Sequence, residues 1–340
     1  MDSQPLNITI LGVGIFGLWQ ALLLAKAGHK VRAVDRSTEP FVDAASQYAG
    51  TMIAPFCEAE SAEPIVRDLG FAAADIWRQH YPELIEHGSL VVASARDQGE
   101  LKRFARMTQS YEQIAAQRIG ELEPDLADRF QTALFYPDEA HMITPFALRR
   151  LMELAEDAGA TFMFGPSYAS EATADTGEHD VVIDCRGLAA RDVLPDLRGV
   201  RGERLLIRSR DINLQRPVRL LHPRYHLYAV PWDAGRILIG ATVIESEDTT
   251  PMTVRSALEL LGMAYALHPA LGEAEIVEMS AGVRPAFPDN VPRVVVRENG
   301  KRILVNGAFR HGFLLAPMLA TVTRDALAGS MTEHPLLRRE

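Results

Sequence analysis

Cysteine is almost missing from this chain: Cys57 and Cys185 are the only two in 340 residues. With no CxxC and no His/Cys cluster, neither a disulfide framework nor a metal site is indicated, and a reducing cytoplasm fits. Positive charge is not in excess either. Lys and Arg number 35 against 45 Asp and Glu, for a net charge of -10, and no run of like charge forms a tail, so nucleic acid is not an expected partner. No apolar stretch approaches the length of a membrane span, and a strand pattern begins at Leu6 with no basic region before it. Neither membrane insertion nor export is expected. The chain also lacks internal repeats, low-complexity linkers and any obvious Ser/His/Asp or paired-carboxylate arrangement. What it does have is 47% hydrophobic content, enough for a chain of this length to bury a large core and to divide into two domains.

The first 36 residues read as a βαβ unit. A β-rich run at 6–11 leads into Gly12-Val13-Gly14-Ile15-Phe16-Gly17, a helix is predicted over 18–27 and ends at Gly28, and a strand over 31–34 closes at Asp35. In such a unit one glycine makes the tight turn, one admits a pyrophosphate close to the backbone, and one lets helix and strand pack. The helix N-terminus offers N–H groups and partial positive charge to phosphates, and Asp35 is placed to accept from a ribose hydroxyl. A GxGxxG alone is weak. Set in strand, helix, strand and acid order it points to a dinucleotide.

Further along, helices are predicted over 63–81, 99–116, 144–158 and 254–267. Strands are predicted at 90–93, 161–164, 180–185, 275–283, 293–296 and 302–305. Between 200 and 242 successive β-runs (ERLLIR, PVRLLH, HLYAVP, RILIGAT) separated by turn residues read as an antiparallel sheet. The expected fold is therefore α/β, with a discontinuous Rossmann-like nucleotide domain (1–87, 141–198 and 299–340) and a second domain (88–140 and 199–298) built on a mainly antiparallel sheet. A buried site where the two meet is the default expectation.

The discontinuity favours FAD, because a nicotinamide enzyme usually keeps its nucleotide domain contiguous. A glycine-broken turn, Asn306-Gly307-Ala308-Phe309-Arg310-His311-Gly312, precedes a helix predicted to begin near Phe313. The positive end of that helix suits the pyrimidine edge of a flavin. An arginine fork is suited to hold a substrate carboxylate, and two arginines stand out: Arg284, before Pro285 near a strand end, and Arg310 in the C-terminal turn. Tyr228, on a strand of the inserted sheet, is a third candidate. Each has a plainer alternative as a surface, salt-bridging or packing residue.

Taken together, GVGIFG with Asp35, AASQYAGTMIAP, VVIDCRGLAAR, GVRGE, YAVPWDAGRILIGAT, AGVRPAFPDNVPRV and NGAFRHGFLLAP resemble the FAD-dependent D-amino acid oxidase superfamily. Within it, the thiamine-biosynthetic glycine oxidases are the nearest likeness, and the motifs extend from residue 8 to about 320. The resemblance implies that Arg284 clamps the substrate carboxylate, that Arg310 is a second active-site arginine beside the flavin, and that Tyr228 helps hold the carboxylate. It implies Gly12, Gly14, Ile15, Phe16 and Gly17 at the pyrophosphate and Asp35 with Arg36 near the ribose. Ala45, Ser46, Thr51 and Met52 would line the flavin side, with Gly187 under the cofactor. Gly307, Phe309, Arg310, His311, Gly312, Phe313 and Leu314 would follow the isoalloxazine edge. Three positions depart from the family pattern: Asp35 stands where glutamate is usual, Thr51 where glycine is common and His311 where asparagine often occurs.

The implied reaction takes a hydride from Cα to flavin N5 and gives an imine, with no side-chain acid or base required. Dioxygen then accepts the electrons and leaves as hydrogen peroxide. With glycine the imine would supply the thiazole of thiamine, which makes the thiazole-synthesis machinery a candidate partner, and a homo-oligomer is implied. Neither cysteine lies where relatives attach flavin covalently, so non-covalent FAD is expected. Two other readings stay open: a D-amino acid or secondary-amine dehydrogenase that passes electrons to an acceptor other than oxygen, and a flavin-binding subunit without turnover. The roles of His222, His226 and His311 stay open as well.

Overall fold

Two glycines decide where the first helix begins and ends. The computed structural model describes residues 4–168, 179–224 and 226–340. The strand Asn7–Leu11 runs into Gly12 at φ +91°, and Gly14 is extended at the N-cap of the helix Ile15–Lys26. The helix thus starts three residues before the predicted position, because residues 15–17 of the glycine motif are already helical. It stops at Ala27, and Gly28 takes φ +89°, a conformation open to glycine without strain. Nearly every residue of this helix is buried, as befits one covered all round. Helices Thr144–Asp157 and Gly312–Leu327 pack on it, and Pro64–His80 packs on the latter. Pro64–His80 buries Val66, Gly70, Ala73, Ala74 and Trp77 along one stripe, and the Trp77 indole meets Trp19 edge-on with ring centroids 4.8 Å apart.

These helices cover a seven-stranded sheet. Asn7–Leu11 lies between Lys30–Asp35 and Val181–Asp184, Thr161–Phe164 extends one side, and Arg302–Asn306 lies beyond Val181–Asp184; all of these pairs are parallel. Arg302–Asn306 then pairs antiparallel with Arg293–Arg297, and Leu337–Arg339 forms the edge. Arg293–Arg297 is therefore a strand of the nucleotide-type sheet, and a boundary at 299 cuts through its hairpin. The tight turn Glu298–Gly300 keeps both strands in one ladder.

The second sheet has eight strands in the order Glu275–Ala286, Arg198–Arg208, Arg236–Gly240, Leu227–Pro231, Val218–Leu221, Ser89–Ala93, Thr132–Tyr136, Glu112–Ala115. Only the pair Val218–Leu221 with Ser89–Ala93 is parallel. One face is apolar: Leu205, Ile207, Leu227, Ile237 and Ile239 pack with Leu260, Met263 and Leu267 of the helix Val254–Leu267. A short ladder, Met52–Ile53 with Ala140–His141, joins the segments between the two sheets.

One predicted helix is corrected. Residues 99–116 do not form a single helix: Gln98–Met107 is helical, Glu112–Ala115 is an edge strand against Thr132–Tyr136, and Ala116–Leu122 is a separate helix. Thr108 ends the first piece. Its hydroxyl donates to the Phe104 carbonyl at 2.9 Å and lies 2.7 Å from the Tyr136 hydroxyl, a local bond that competes with helix continuation.

His141 gives this fold a testable acid sensitivity. It is only 2% exposed, and burial, aided by the charges of His87 and Arg216, pushes its pKa down to about 3. The folded value lies below the unfolded one, so the contribution is complete above about pH 6.5 and is lost as pH falls towards 3. At pH 5 the loss is about 2 kcal/mol. Replacing His141 with leucine should flatten the fall in Tm between pH 7 and pH 5, and an equally steep fall in the variant would remove His141 as its source.

Candidate active site

The dinucleotide cradle is built from missing side chains. A Cβ at Gly17 would overlap the Gly12 carbonyl, one at Gly12 would lie 2.8 Å from the Cys185 carbonyl oxygen, and one at Gly14 would lie 3.4 Å from Ser46 Oγ. The backbone is thus bare at the start of the helix Ile15–Lys26, where the first-turn N–H groups, Phe16 and Gly17 among them, have no intrahelical acceptor. Ile15 N–H donates to Ser46 Oγ at 3.3 Å, so the segment carrying Ala45 and Ser46 is tied to the phosphate loop. Asp35 accepts from Val13 N–H at 2.8 Å and from Ser37 N–H at 2.9 Å. Its carboxylate keeps further lone pairs for a ribose hydroxyl, with Arg36 exposed next to it. These features fit the pyrophosphate and ribose of FAD.

At the far end of the parallel strands, Asn306 Nδ2 donates to the Gly187 carbonyl and its Oδ1 accepts from Gly307 N–H, both at 2.9 Å. Gly307 takes φ +86° and Phe309 φ +51°. A Cβ at Gly307 would overlap the Phe287 ring. Phe309 N–H donates to the Pro285 carbonyl at 2.9 Å, which ties this turn to the strand of Arg284. The helix begins at Gly312, one residue before the predicted start, with His311 at its N-cap and no side-chain cap. Phe313 is buried, and its carbonyl accepts from Trp77 Nε1 at 2.8 Å. Leu314 packs into the notch left by Gly70. Thr51 is buried at φ +46°, a strained conformation for a β-branched residue and the physical reason glycine suits this position. Its hydroxyl bonds the Met142 carbonyl.

The candidate substrate groups lie on the polar face of the eight-stranded sheet. Residues directly opposite across antiparallel pairs share a face. The register places Ser280, Arg204, Gly240, Tyr228 and Arg219 in one row across adjacent strands, with Gly282 and Arg284 continuing along the first. Three glycines make room on this face. A Cβ at Gly202 would overlap the Arg284 guanidinium, one at Gly240 would lie 2.5 Å from the Tyr228 ring, and one at Gly282 would lie 2.5 Å from the Tyr48 ring. Gly50 closes on the other side of Tyr228, where a Cβ would lie 2.9 Å from its ring, and Met52 packs with Tyr228, Leu206, Val230 and Leu238. The flavin-side segment and the sheet therefore meet at Tyr228.

Arg284 Nη1 donates to the carbonyls of Arg201 and Thr242 at 3.4 and 3.2 Å. No carboxylate bonds its guanidinium among the described residues. Burial, reinforced by the charge of Arg310, lowers its pKa against a smaller opposing pull from Tyr228. Burial likewise raises the pKa of Tyr228 while Arg284, Arg204 and Arg219 oppose it, so the phenol stays protonated and its hydroxyl has no hydrogen-bond partner among the described residues. A half-buried cation without an anionic partner, beside a free hydroxyl donor, is chemically a vacancy for an anion.

Arg310 behaves differently. Its Nε and Nη2 donate to Glu58 Oε2 at 3.2 and 3.0 Å, and Nη2 also donates to Ser61 Oγ at 2.7 Å. Glu58 Oε1 accepts from Arg219 Nη2 at 2.7 Å, and His311 Nδ1 lies 3.3 Å from Oε2. Burial works to raise the Glu58 pKa, but Arg310, Arg219 and His311 outweigh it and hold the carboxyl well below its ordinary range. Glu58 ends the short helix Pro55–Glu58, which the buried Glu139 anchors by accepting from Cys57 N–H at 2.7 Å. Glu58, Glu139, Arg204 and Arg219 carried no motif signal, since only pairing across the fold brings them to the site. His222 Nδ1 accepts from Arg224 N–H, His226 is exposed, and His311 contacts Glu58. A cleft of about 450 Å³ bordered by Asn7, Lys30 and Thr161 lies at the opposite, N-terminal end of the parallel strands, away from the end at which open α/β sheets bind ligands. Among the described residues no cluster of His, Cys, Asp and Glu is arranged to hold a metal, and no helix is long and apolar enough to cross a membrane.

A phosphate cradle on a mainly parallel sheet, facing a mainly antiparallel sheet that holds a half-buried guanidinium without an anionic partner, defines a two-sheet nucleotide-dependent oxidoreductase. The family described as FAD dependent oxidoreductase matches residues 7–326, and the chain belongs to it; its cofactor is FAD. A Rhizobium etli protein named as the thiamine biosynthesis oxidoreductase ThiO is 48% identical over 93% of this chain and 94% of its own length. The glycine oxidase of Bacillus licheniformis is 28% identical over 94% of this chain and 92% of its own. The solved glycine oxidase of Bacillus cereus superposes with a TM-score of 0.80 at 22% identity, covering 97% of both chains, so the fold is shared.

The glycine at 202 supplies a test of the anion vacancy that leaves every charge in place. Gly202→Ala should displace the Arg284 guanidinium and lower kcat/KM about 100-fold, as Arg284→Met should, in keeping with the 2–5 kcal/mol typical of a buried charged contact. Bound flavin absorbance should be retained in both. Unchanged kinetics in either variant would move the substrate site elsewhere.

Proposed function

We propose that this protein is an FAD-dependent oxidase of glycine or another small amino acid. The observation that carries the reading is the half-buried Arg284 guanidinium, without a carboxylate partner among the described residues and on the same sheet face as Tyr228, the two side chains occupying the room left by Gly202 and Gly240. Arg284 receives the substrate carboxylate through the donors its two carbonyl bonds leave free, and Tyr228 donates a further bond. Holding the carboxylate at two points orients Cα, and orientation of this kind supplies a large part of the catalytic effect. Glu58, kept ionised by its cations, does not take up a proton, in keeping with a site that works without a side-chain base. FAD, when bound, supplies the two-electron acceptor for the hydride leaving Cα, and dioxygen regenerates it with release of hydrogen peroxide.

The groups that would hold FAD are Gly12, Gly14, Ile15, Phe16, Gly17, Asp35 and Arg36 at the dinucleotide. Ala45, Ser46, Thr51, Met52, Gly187 and the turn and helix start at 307–314 would hold the flavin. Attachment is non-covalent: Cys57 and Cys185 are buried and unpaired, and burial pushes both thiols well above the ordinary range, whereas covalent chemistry needs thiolate. The cofactor half comprises 1–87, 141–198 and 299–340 with the strand Arg293–Arg297 attached, and the substrate half comprises the rest. The likeness to a protein named for thiamine biosynthesis supports an imine product that serves thiazole formation.

Anaerobic addition of glycine should bleach the flavin, and readmitting air should restore its colour with one hydrogen peroxide per turnover. Bleaching without peroxide would make the protein a dehydrogenase. No bleaching by glycine, sarcosine or D-alanine would end the amino acid oxidase reading.

A further inference from the structure

The arginine of the C-terminal turn is already occupied. Glu58 Oε2 accepts two donors from one edge of Arg310, and Ser61 accepts a third bond. This is not a loose surface pair. The Glu58 side chain is only 14% exposed and that of Arg219 12%, against 31% for Arg310. The helix bearing Glu58 is pinned by the bond from Cys57 N–H to the buried Glu139, and its second oxygen is held by Arg219 from the facing sheet. Arg310 is nevertheless close to the anion vacancy, since its neighbour Phe309 donates to the Pro285 carbonyl and Ala308 bridges Ala286, next to Arg284 in sequence.

Arg204, a buried arginine on the same face, has an anionic partner of its own: its guanidinium is enclosed between the Tyr48 and Trp232 rings, and Nη2 donates to the Gln47 carbonyl and Glu278, while Nε and Nη1 are buried without a partner. Arg284 is left as the one guanidinium without an anionic partner beside Tyr228 among the described residues. A substrate with one carboxylate uses it fully. A second carboxylate would meet Arg310, whose Nε and Nη2 are taken by Glu58 and Ser61, only at Nη1, beside the Glu58 carboxylate that would repel it.

Building on the amino acid oxidase reading, we infer that Glu58 is a specificity-determining residue: by holding Arg310 it restricts the site to substrates with a single carboxylate and excludes dicarboxylic amines. Neutralising Glu58 frees a second fork without altering Arg284 or Tyr228.

The test is binding of unreactive anions to the FAD-loaded protein, followed by perturbation of the flavin absorption spectrum, with acetate as the monocarboxylate and malonate as the dicarboxylate. In Glu58→Gln the Kd for malonate should tighten about ten-fold, equivalent to about 1.4 kcal/mol, while that for acetate changes by less than about three-fold. Because Arg219 loses its counter-ion in that variant, the charge-balanced pair E58Q/R219M provides a second measurement with the same expectation. Equal tightening for both anions would make Glu58 only a source of negative charge, and no change for either would make it purely structural; each result overturns the inference. The readout does not depend on turnover. If glycine fails to bleach the wild-type flavin, the glycine reading falls while the acetate and malonate titrations still decide the role of Glu58.

Discussion

The site depends on one backbone seam, where Phe309 N–H donates to the Pro285 carbonyl. The residues on its two sides come from different sheets. Pro285 follows Arg284 on the edge strand of the eight-stranded sheet, and Phe309 lies in the turn that leaves the seven-stranded one. A left-handed conformation at Phe309 costs on the order of 1–2 kcal/mol, and it is held by the flanking contacts: Asn306 bracing Gly187 and Gly307, and Ala308 bridged to Ala286. A shift of the turn by a fraction of an ångström would move the start of the helix Gly312–Leu327 and the anion vacancy relative to each other. The strain is located where the two sheets are joined.

Charge follows the same logic of commitment and vacancy. Withdrawing a guanidinium from water without an anionic partner is costly, and among the described residues Arg284, half-buried, is left in that state. Glu58 is half-buried as well, but it is compensated by two arginines and a histidine. The contrast separates a group that stabilises the folded state from one kept costly so that a ligand can satisfy it. It also shows why counting arginines near a site says little, because the guanidiniums of Arg204, Arg219 and Arg310 each have an acidic partner.

Local chemistry was readable in the sequence, and long-range chemistry was not. The GVGIFG turn was legible because its glycines act within a few residues of one another, and the strand runs between 200 and 242 were legible because alternation is a local pattern. Gly202, Gly240 and Gly282 fall within the quoted motifs, but their packing role was silent, since each is required by a side chain arriving from a different strand or segment. Glu58 was silent for the same reason: its partners Arg219 and Arg310 lie on other elements. The predicted helix over 99–116 failed because edge pairing with Thr132–Tyr136 outweighed the helical propensity of residues 112–115. Arg310 could be marked as a site arginine from its turn, but its commitment to a carboxylate became visible only in three dimensions.

The strand order has a consequence for how the molecule is made. Asn7–Leu11 is synthesised early, yet its neighbour Val181–Asp184 comes after the first strands of the other sheet, and Arg302–Asn306 follows all of them. A ribosome releases the phosphate loop long before the sheet that supports it can close. The eight-stranded sheet, in contrast, has all its strands once residue 286 has emerged. During translation the eight-stranded sheet can therefore assemble first and act as a scaffold, and capture of the cofactor becomes a late event, completed when the strand Arg302–Asn306 slots beside Val181–Asp184.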